Sequence, residues 1–158
     1  NALIPPGGGH GSTEMTIGIV GTGSMGQTLG LRCAALGHEL LFGSRDIDKA
    51  RSVAAQSSHS ASGSFDDAAA FGDVVLYTVR DVPASRLLRE PQALSGKVLI
   101  DCNNRLSGKG HTVSHAEMLA ADVPCTRVVK AFNNIAHRVR TEPRPARSPP
   151  SFGVLVCR

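Results

Sequence analysis

At 158 residues the chain is long enough for one domain with a real core, without the help of metals or disulfides. Hydrophobic residues make up 41%, tryptophan is absent, and no apolar run approaches the ~18 residues of a membrane helix, so no membrane helix is expected and the expected location is cytoplasmic. The net charge of +4 sits in one place: Arg127 to Arg158 holds seven basic residues and one acid, and without interleaved aromatic residues this tail reads as a solvated loop rather than a nucleic-acid surface.

The first 14 residues, NALIPPGGGHGSTE, lack the basic start and apolar stretch of a targeting signal and are expected to be a flexible leader or a remnant of cloning. From residue 15 to 158 apolar runs alternate with helical patterns. Strands are expected at Thr16–Val20, Glu39–Phe42, Val74–Val79, Val98–Asp101, Arg127–Ala131 and Phe152–Val156. Between the first two lies a helix whose Met25, Leu29, Cys33 and Leu36 form an apolar stripe. Further helices are expected at Asp46–Gln56, Phe65–Phe71, Pro83–Glu90 and Val113–Ala121. Residues 137–151 are rich in proline and arginine and read as a loop. Strands that are hydrophobic along most of their length, alternating with helices, call for an α/β fold. The expectation is a doubly wound, mostly parallel sheet in a Rossmann-type NAD(P)-binding domain.

Gly21, Gly23 and Gly26 spell G-x-G-x-x-G directly after the first strand and at the start of the first helix. In that setting the first glycine makes the tight turn, the second lets backbone approach a pyrophosphate, and the third allows helix and strand to pack closely. The phosphate then lies at the positive end of the helix, with Thr22, Ser24 and Met25 beside it. The second strand of such domains normally ends in an acid that binds both ribose hydroxyls of NAD. Here it ends in Gly43-Ser44-Arg45. A small hydroxyl and a planar guanidinium suit a 2'-phosphate, with Lys49 one turn into the next helix as a second positive charge, so the expected cofactor is NADP(H). A rival count puts Asp46, 20 residues after Gly26, as the NAD-type acid; its place before the helix favours a capping role.

Together, IGIVGTGSMGQTLG, GHELLFGSRDIDKA, VLIDCNN and VVKAFNNIAH resemble the NADPH-dependent coenzyme F-420 reductases and their bacterial dinucleotide-binding relatives, from about Met15 to Val156. The resemblance implies that Thr78, Val79 and Arg80 line the nicotinamide half of the cofactor. It also implies that Asn103, Asn104, Phe132, Asn133, Asn134 and Ile135, at the next two strand tips, floor the nicotinamide and the substrate ring. Relatives continue with an acidic Gly-Asp-Asp turn and helices that complete the substrate pocket and the subunit contact, whereas this sequence ends at Arg158. A homodimer is the assembly implied. The activity implied is hydride transfer between NADPH and a deazaflavin, coenzyme F-420 as co-substrate, or a related small acceptor. Alternatives are a non-catalytic NADP-binding module, a ferric-reductase-like domain and an imine reductase. The cofactors carry this chemistry, so no catalytic side chain is demanded or assigned.

No metal site is expected: His111 and His115 sit at helical spacing without a third ligand, and Cys33, Cys102, Cys125 and Cys157 are widely spread. Asp66 and Asp67 open a helix and favour its dipole. His38 reads as structural, and no G-x-S-x-G elbow marks a hydrolase.

Overall fold

The chain, as a computed structural model, is described over residues 14–103 and 113–132 and, for the backbone alone, 155–157. Its elements run β1 (Thr16–Val20), α1 (Ser24–Ala35), β2 (Glu39–Gly43), α2 (Ile47–Ala54), β3 (Ser60–Gly63), α3 (Phe65–Phe71), β4 (Val74–Tyr77), α4 (Ala84–Leu87), a 3-10 turn (Pro91–Leu94), β5 (Val98–Asp101), α5 (His115–Asp122), β6 (Arg127–Lys130) and β7 (Leu155–Cys157). The sheet order is β3-β2-β1-β4-β5-β6-β7. The first six strands are parallel, and β7 pairs antiparallel with β6. This is the doubly wound Rossmann arrangement expected from the sequence.

Period-two alternation divides the core between the two faces of the sheet. Ile17 and Ile19 of β1 pack with Leu40, Phe42, Leu29 and Val53 on the α1 and α2 side. Val20 joins Val75, Tyr77, Leu99, Leu119 and Val128 on the side of α3 and α5. Because β1 lies between β2 and β4, the chain leaves it in both directions, and the crevice at its carboxyl end is where an open α/β sheet takes a ligand.

Four sequence expectations change. Ser60–Gly63 is a strand that the apolar pattern does not reveal; it is an edge strand of four small residues, held by parallel pairing with β2 on one side. On α1 the buried residues are Gly26, Leu29, Gly30 and Ala34 rather than a stripe ending in Leu36, which caps the helix and is 69% exposed. Small residues bring α1 so close to the sheet that a Cβ at Gly30 would lie 2.5 Å from the Phe42 ring. The helix expected at Pro83–Glu90 is a single turn: the backbone is already extended at Leu88 (φ −101°, ψ 144°), and Pro91 opens a 3-10 turn. The strand expected to reach Val79 stops at Tyr77, freeing residues 78–80 for the sheet's upper edge.

Candidate nucleotide-binding site

Gly21 turns sharply after β1 with φ 111°, and its N–H donates to the Gly43 carbonyl at 3.0 Å, tying the loop to the tip of β2. A side chain at Gly21 would meet Thr78 Oγ1 at 2.5 Å, and one at Gly26 would drive into the Gly21 carbonyl oxygen. These two glycines are therefore required by packing. Gly23 is different: its φ of −72° suits any residue, and a Cβ there would touch nothing within 4 Å. What the bare fold leaves open at Gly23 is the space a pyrophosphate needs. The end of α1 behaves likewise. Asp46, Ser64 and Ser114 cap α2, α3 and α5 with side-chain oxygens, whereas α1 has no side-chain cap and no acid in its first turn. A helix end without a side-chain cap or an acid in its first turn attracts anions. Thr22 is buried, Met25 is partly buried and Ser24 is exposed beside Gly23.

At the tip of β2, Ser44 Oγ accepts from the Asp46 N–H at 3.2 Å, which leaves the hydroxyl proton free to donate outward. Asp46 Oδ1 accepts from the N–H groups of Asp48 at 3.1 Å and Lys49 at 3.2 Å. Asp46 is thus the cap of α2. Arg45 is exposed and makes no side-chain bond to a described residue; Lys49 lies exposed one turn into α2. Ser44 and Arg45 line a cavity of about 670 Å³ that continues along the first turn of α3 to residues 87–93, and Lys49 does not line it.

At the tip of β4, the Thr78 hydroxyl lies 3.0 Å from both the Val20 and Gly21 carbonyls, one proton shared between two acceptors that fix the β1 and β4 tips to each other. Val79 is half-buried and Arg80 exposed. Asn103 is buried, and its amide donates to the carbonyls of Tyr77 at 3.2 Å and Val79 at 3.0 Å, so it braces the β4 tip from β5. Asn104, Asn133, Asn134 and Ile135 lie outside the described residues; Phe132, the last before them, sits at φ 64° where β6 ends.

Beneath these tips is a polar cluster with no obvious sequence signature. Asp101, fully buried at the end of β5, accepts from Lys130 Nζ at 2.7 Å, binds His115 Nδ1 at 2.9 Å and receives the Asn103 N–H at 3.0 Å. Lys130 also donates to the Asn103 carbonyl. Burial pushes the Asp101 carboxyl up, but hydrogen bonds from His115 and Lys130, the His115 charge and the Asn103 N–H outweigh it and hold the carboxyl below its ordinary value. The Tyr77 hydroxyl, bonded to the Val82 carbonyl, is pushed far up by burial and by the nearby charges of Asp122 and Asp101. The imidazole of His115 therefore serves this cluster, while His111 lies outside the described residues. Among the described residues no three potential ligands gather as a metal set, and no helix is long and apolar enough to cross a membrane.

Residues 16–105 match the family described as NADP oxidoreductase, coenzyme F420-dependent. The chain is 30% identical over 145 residues to metalloreductase STEAP3 of Rattus norvegicus, covering 89% of this chain and 28% of that protein. It is 27% identical over 127 residues to metalloreductase STEAP2 of Mus musculus, with coverages of 78% and 25%. The chain thus spans about a quarter of the length of these curated relatives. A solved structure from Arthrobacter sp. FB24, described as a candidate F420-dependent NADP-reductase, matches with a TM-score of 0.65 at 26% identity over 79% of this chain and 65% of that one. An imine reductase of Bacillus cereus BAG3X2 shares the fold, with a TM-score of 0.59 at 21% identity over 78% and 42% of the two chains. The family match begins at the first residue of β1 and runs past the tip of β5, through the glycine loop, the Ser44-Arg45 tip and the β4 edge: this chain belongs to the coenzyme F420-dependent NADP oxidoreductase family.

Proposed function

We propose that this chain is the NADP(H)-binding portion of an oxidoreductase that exchanges hydride with a small planar acceptor, a deazaflavin such as coenzyme F-420. The observation that carries the reading is the combination of an uncapped α1 over an open Gly23 with a β2 tip whose acid is already spent as a helix cap. The nicotinamide supplies the hydride and its electron pair. The chain's own residues bind and orient: the loop N–H groups and α1 hold the pyrophosphate, Ser44 and Arg45 hold the 2'-phosphate, and Thr78 and Val79 shape the edge against which the nicotinamide half lies. Arg80 stands exposed beside that edge, available to an anionic acceptor. With no described side chain poised as an acid at this edge, rate comes from placing two rings in contact and excluding water.

A second reading, a ferric-reductase-like transfer of electrons to a metal ion, is supported by the 30% identity to metalloreductase STEAP3. The two are separated by following NADPH absorbance with the purified chain and one acceptor at a time: coenzyme F-420, FMN, FMN with ferric chelate, and a cyclic imine. Consumption dependent on coenzyme F-420 is expected. Binding of NADPH with no consumption in any arm would overturn the enzymatic reading in favour of a binding module.

A further inference from the structure

The strand tips that border the crevice are tied to one another, neighbour by neighbour. The Gly21 N–H joins β1 to the Gly43 carbonyl of β2 at 3.0 Å, and the Thr78 hydroxyl joins β4 to β1. Asn103 makes the next tie, from β5 to β4. Its amide nitrogen lies 3.2 Å from the Tyr77 carbonyl, 3.0 Å from that of Val79 and 3.1 Å from Asp101 Oδ1, which also accepts its backbone N–H at 3.0 Å. Its carbonyl accepts from Lys130 Nζ, and the same ammonium donates to Asp101 Oδ2 at 2.7 Å, so β6 grips the Asn103 peptide from the other side.

Stability alone does not account for a charged pair here. Asp101 is fully buried and the Lys130 side chain is 14% exposed, and in such places apolar residues of similar volume are commonly as stabilising as an ion pair. What the pair supplies is direction. An ammonium shared between the Asp101 carboxylate and the Asn103 carbonyl favours one orientation of that peptide, which an apolar contact would not select. That orientation is felt at Val79, whose carbonyl Asn103 holds and which shapes the edge for the nicotinamide half in the reading above. We propose that Lys130 is a positioning residue: through the Asn103 peptide it fixes the β4 tip in the arrangement that receives the nicotinamide ring. The inference rests on the NADP(H) reading and gives a residue of β6, a strand separated from β4 by β5, control over where the ring lies.

The test titrates two ligands calorimetrically into the full chain: NADPH, and adenosine 2',5'-bisphosphate, which carries the 2'-phosphate but no nicotinamide. Wild type is expected to bind NADPH the more tightly. In Lys130→Met the bisphosphate affinity stays within about twofold of wild type, which also shows that the variant is folded, while NADPH weakens by about tenfold, a coupling of the size carried by residues that touch neither ligand. Where Lys130→Met is too unstable to titrate, Lys130→Gln, which keeps an amide donor but gives up the charge, carries the same expectation. Asn103→Leu, which leaves the Lys130–Asp101 pair whole, shows the same selective loss, and adding Lys130→Met to it weakens NADPH by no more than about twofold further, because both act through one peptide. Equal losses of the two ligands in a folded variant would make Lys130 a stabiliser of the fold only and overturn the proposal. Unchanged NADPH binding in either single variant would overturn it too, and additive losses in the double variant would remove Asn103 as the route. A wild type that binds both ligands equally well would show that no ring is held at the β4 tip, sinking this inference but not the 2'-phosphate reading. Binding of neither ligand by wild type would instead sink the cofactor reading itself.

Discussion

Gly23→Ala is expected to fold as stably as wild type and to lose NADPH. An alanine meets no atom within 4 Å there and accepts the backbone angles unchanged. Two small effects on stability oppose each other: alanine is a poorer N-cap than glycine, and it narrows the unfolded ensemble, each worth about 0.5–1 kcal/mol. In the complex the added methyl occupies the approach of the pyrophosphate. Each charge-assisted hydrogen bond from the loop contributes about 1.5–3 kcal/mol, so displacing the phosphate from two of them weakens binding by at least about a hundredfold. Gly26→Ala is the contrasting case. Its methyl drives into the Gly21 carbonyl and crowds Thr78 Oγ1 at 3.1 Å, so backbone must shift, at a cost of about 1–3 kcal/mol or more even without ligand. Thermal unfolding and a fluorescence titration of both variants distinguish the two roles. Wild-type NADPH affinity in Gly23→Ala would contradict the pyrophosphate assignment.

Lys130→Met is expected to destabilise the apo-protein by about 3 kcal/mol, because it removes one of the two cationic partners of the fully buried Asp101 carboxylate and leaves it with His115. The loss depends on pH in a definite sense. The folded-state pKa of Asp101 is held below its unfolded value, so its favourable contribution is fully present above about pH 4 and disappears as the pH falls through the depressed value. Without Lys130 the burial penalty has less to oppose it, and the carboxyl takes up its proton at higher pH. The gap in melting temperature between wild type and Lys130→Met is therefore widest near neutrality and closes on acidification. A gap of constant size from pH 7 down to pH 3 would show that Lys130 acts through packing alone. This cluster sits directly under Asn103 and the β4 tip, so loosening it also loosens the edge where the nicotinamide half is expected to lie.

The Asp101 cluster also shows where the sequence stops being informative. Asp101, His115 and Lys130 come from three elements and meet only after β5 and β6 pair and α5 docks across them. No local spacing announces them, and the helical spacing of His111 and His115 draws attention to metal binding instead. Glu90 and Arg89 were hidden in a different way. They belong to an irregular segment whose place beside the β2 tip is set by the Asp66 side chain, a contact between residues 23 and 24 positions apart. Strand β3 went unseen because Ser60–Gly63 has no apolar alternation. What was legible is what local chemistry dictates. The glycine loop must follow a buried strand and open a helix. Asp46 before Ile47 caps rather than lines. The alternation of apolar strands and helices leaves few sheets other than a parallel one.

Selection of NADP(H) by the β2 tip is tested by titrating the purified chain with NADPH and, separately, NADH, and repeating both with Arg45→Ala. NADPH is expected to bind at least about tenfold more tightly than NADH, the worth of a charge-assisted contact to the 2'-phosphate, and the variant to lose that preference. Equal affinity for the two cofactors would contradict it and return Asp46 to the role of ribose acid.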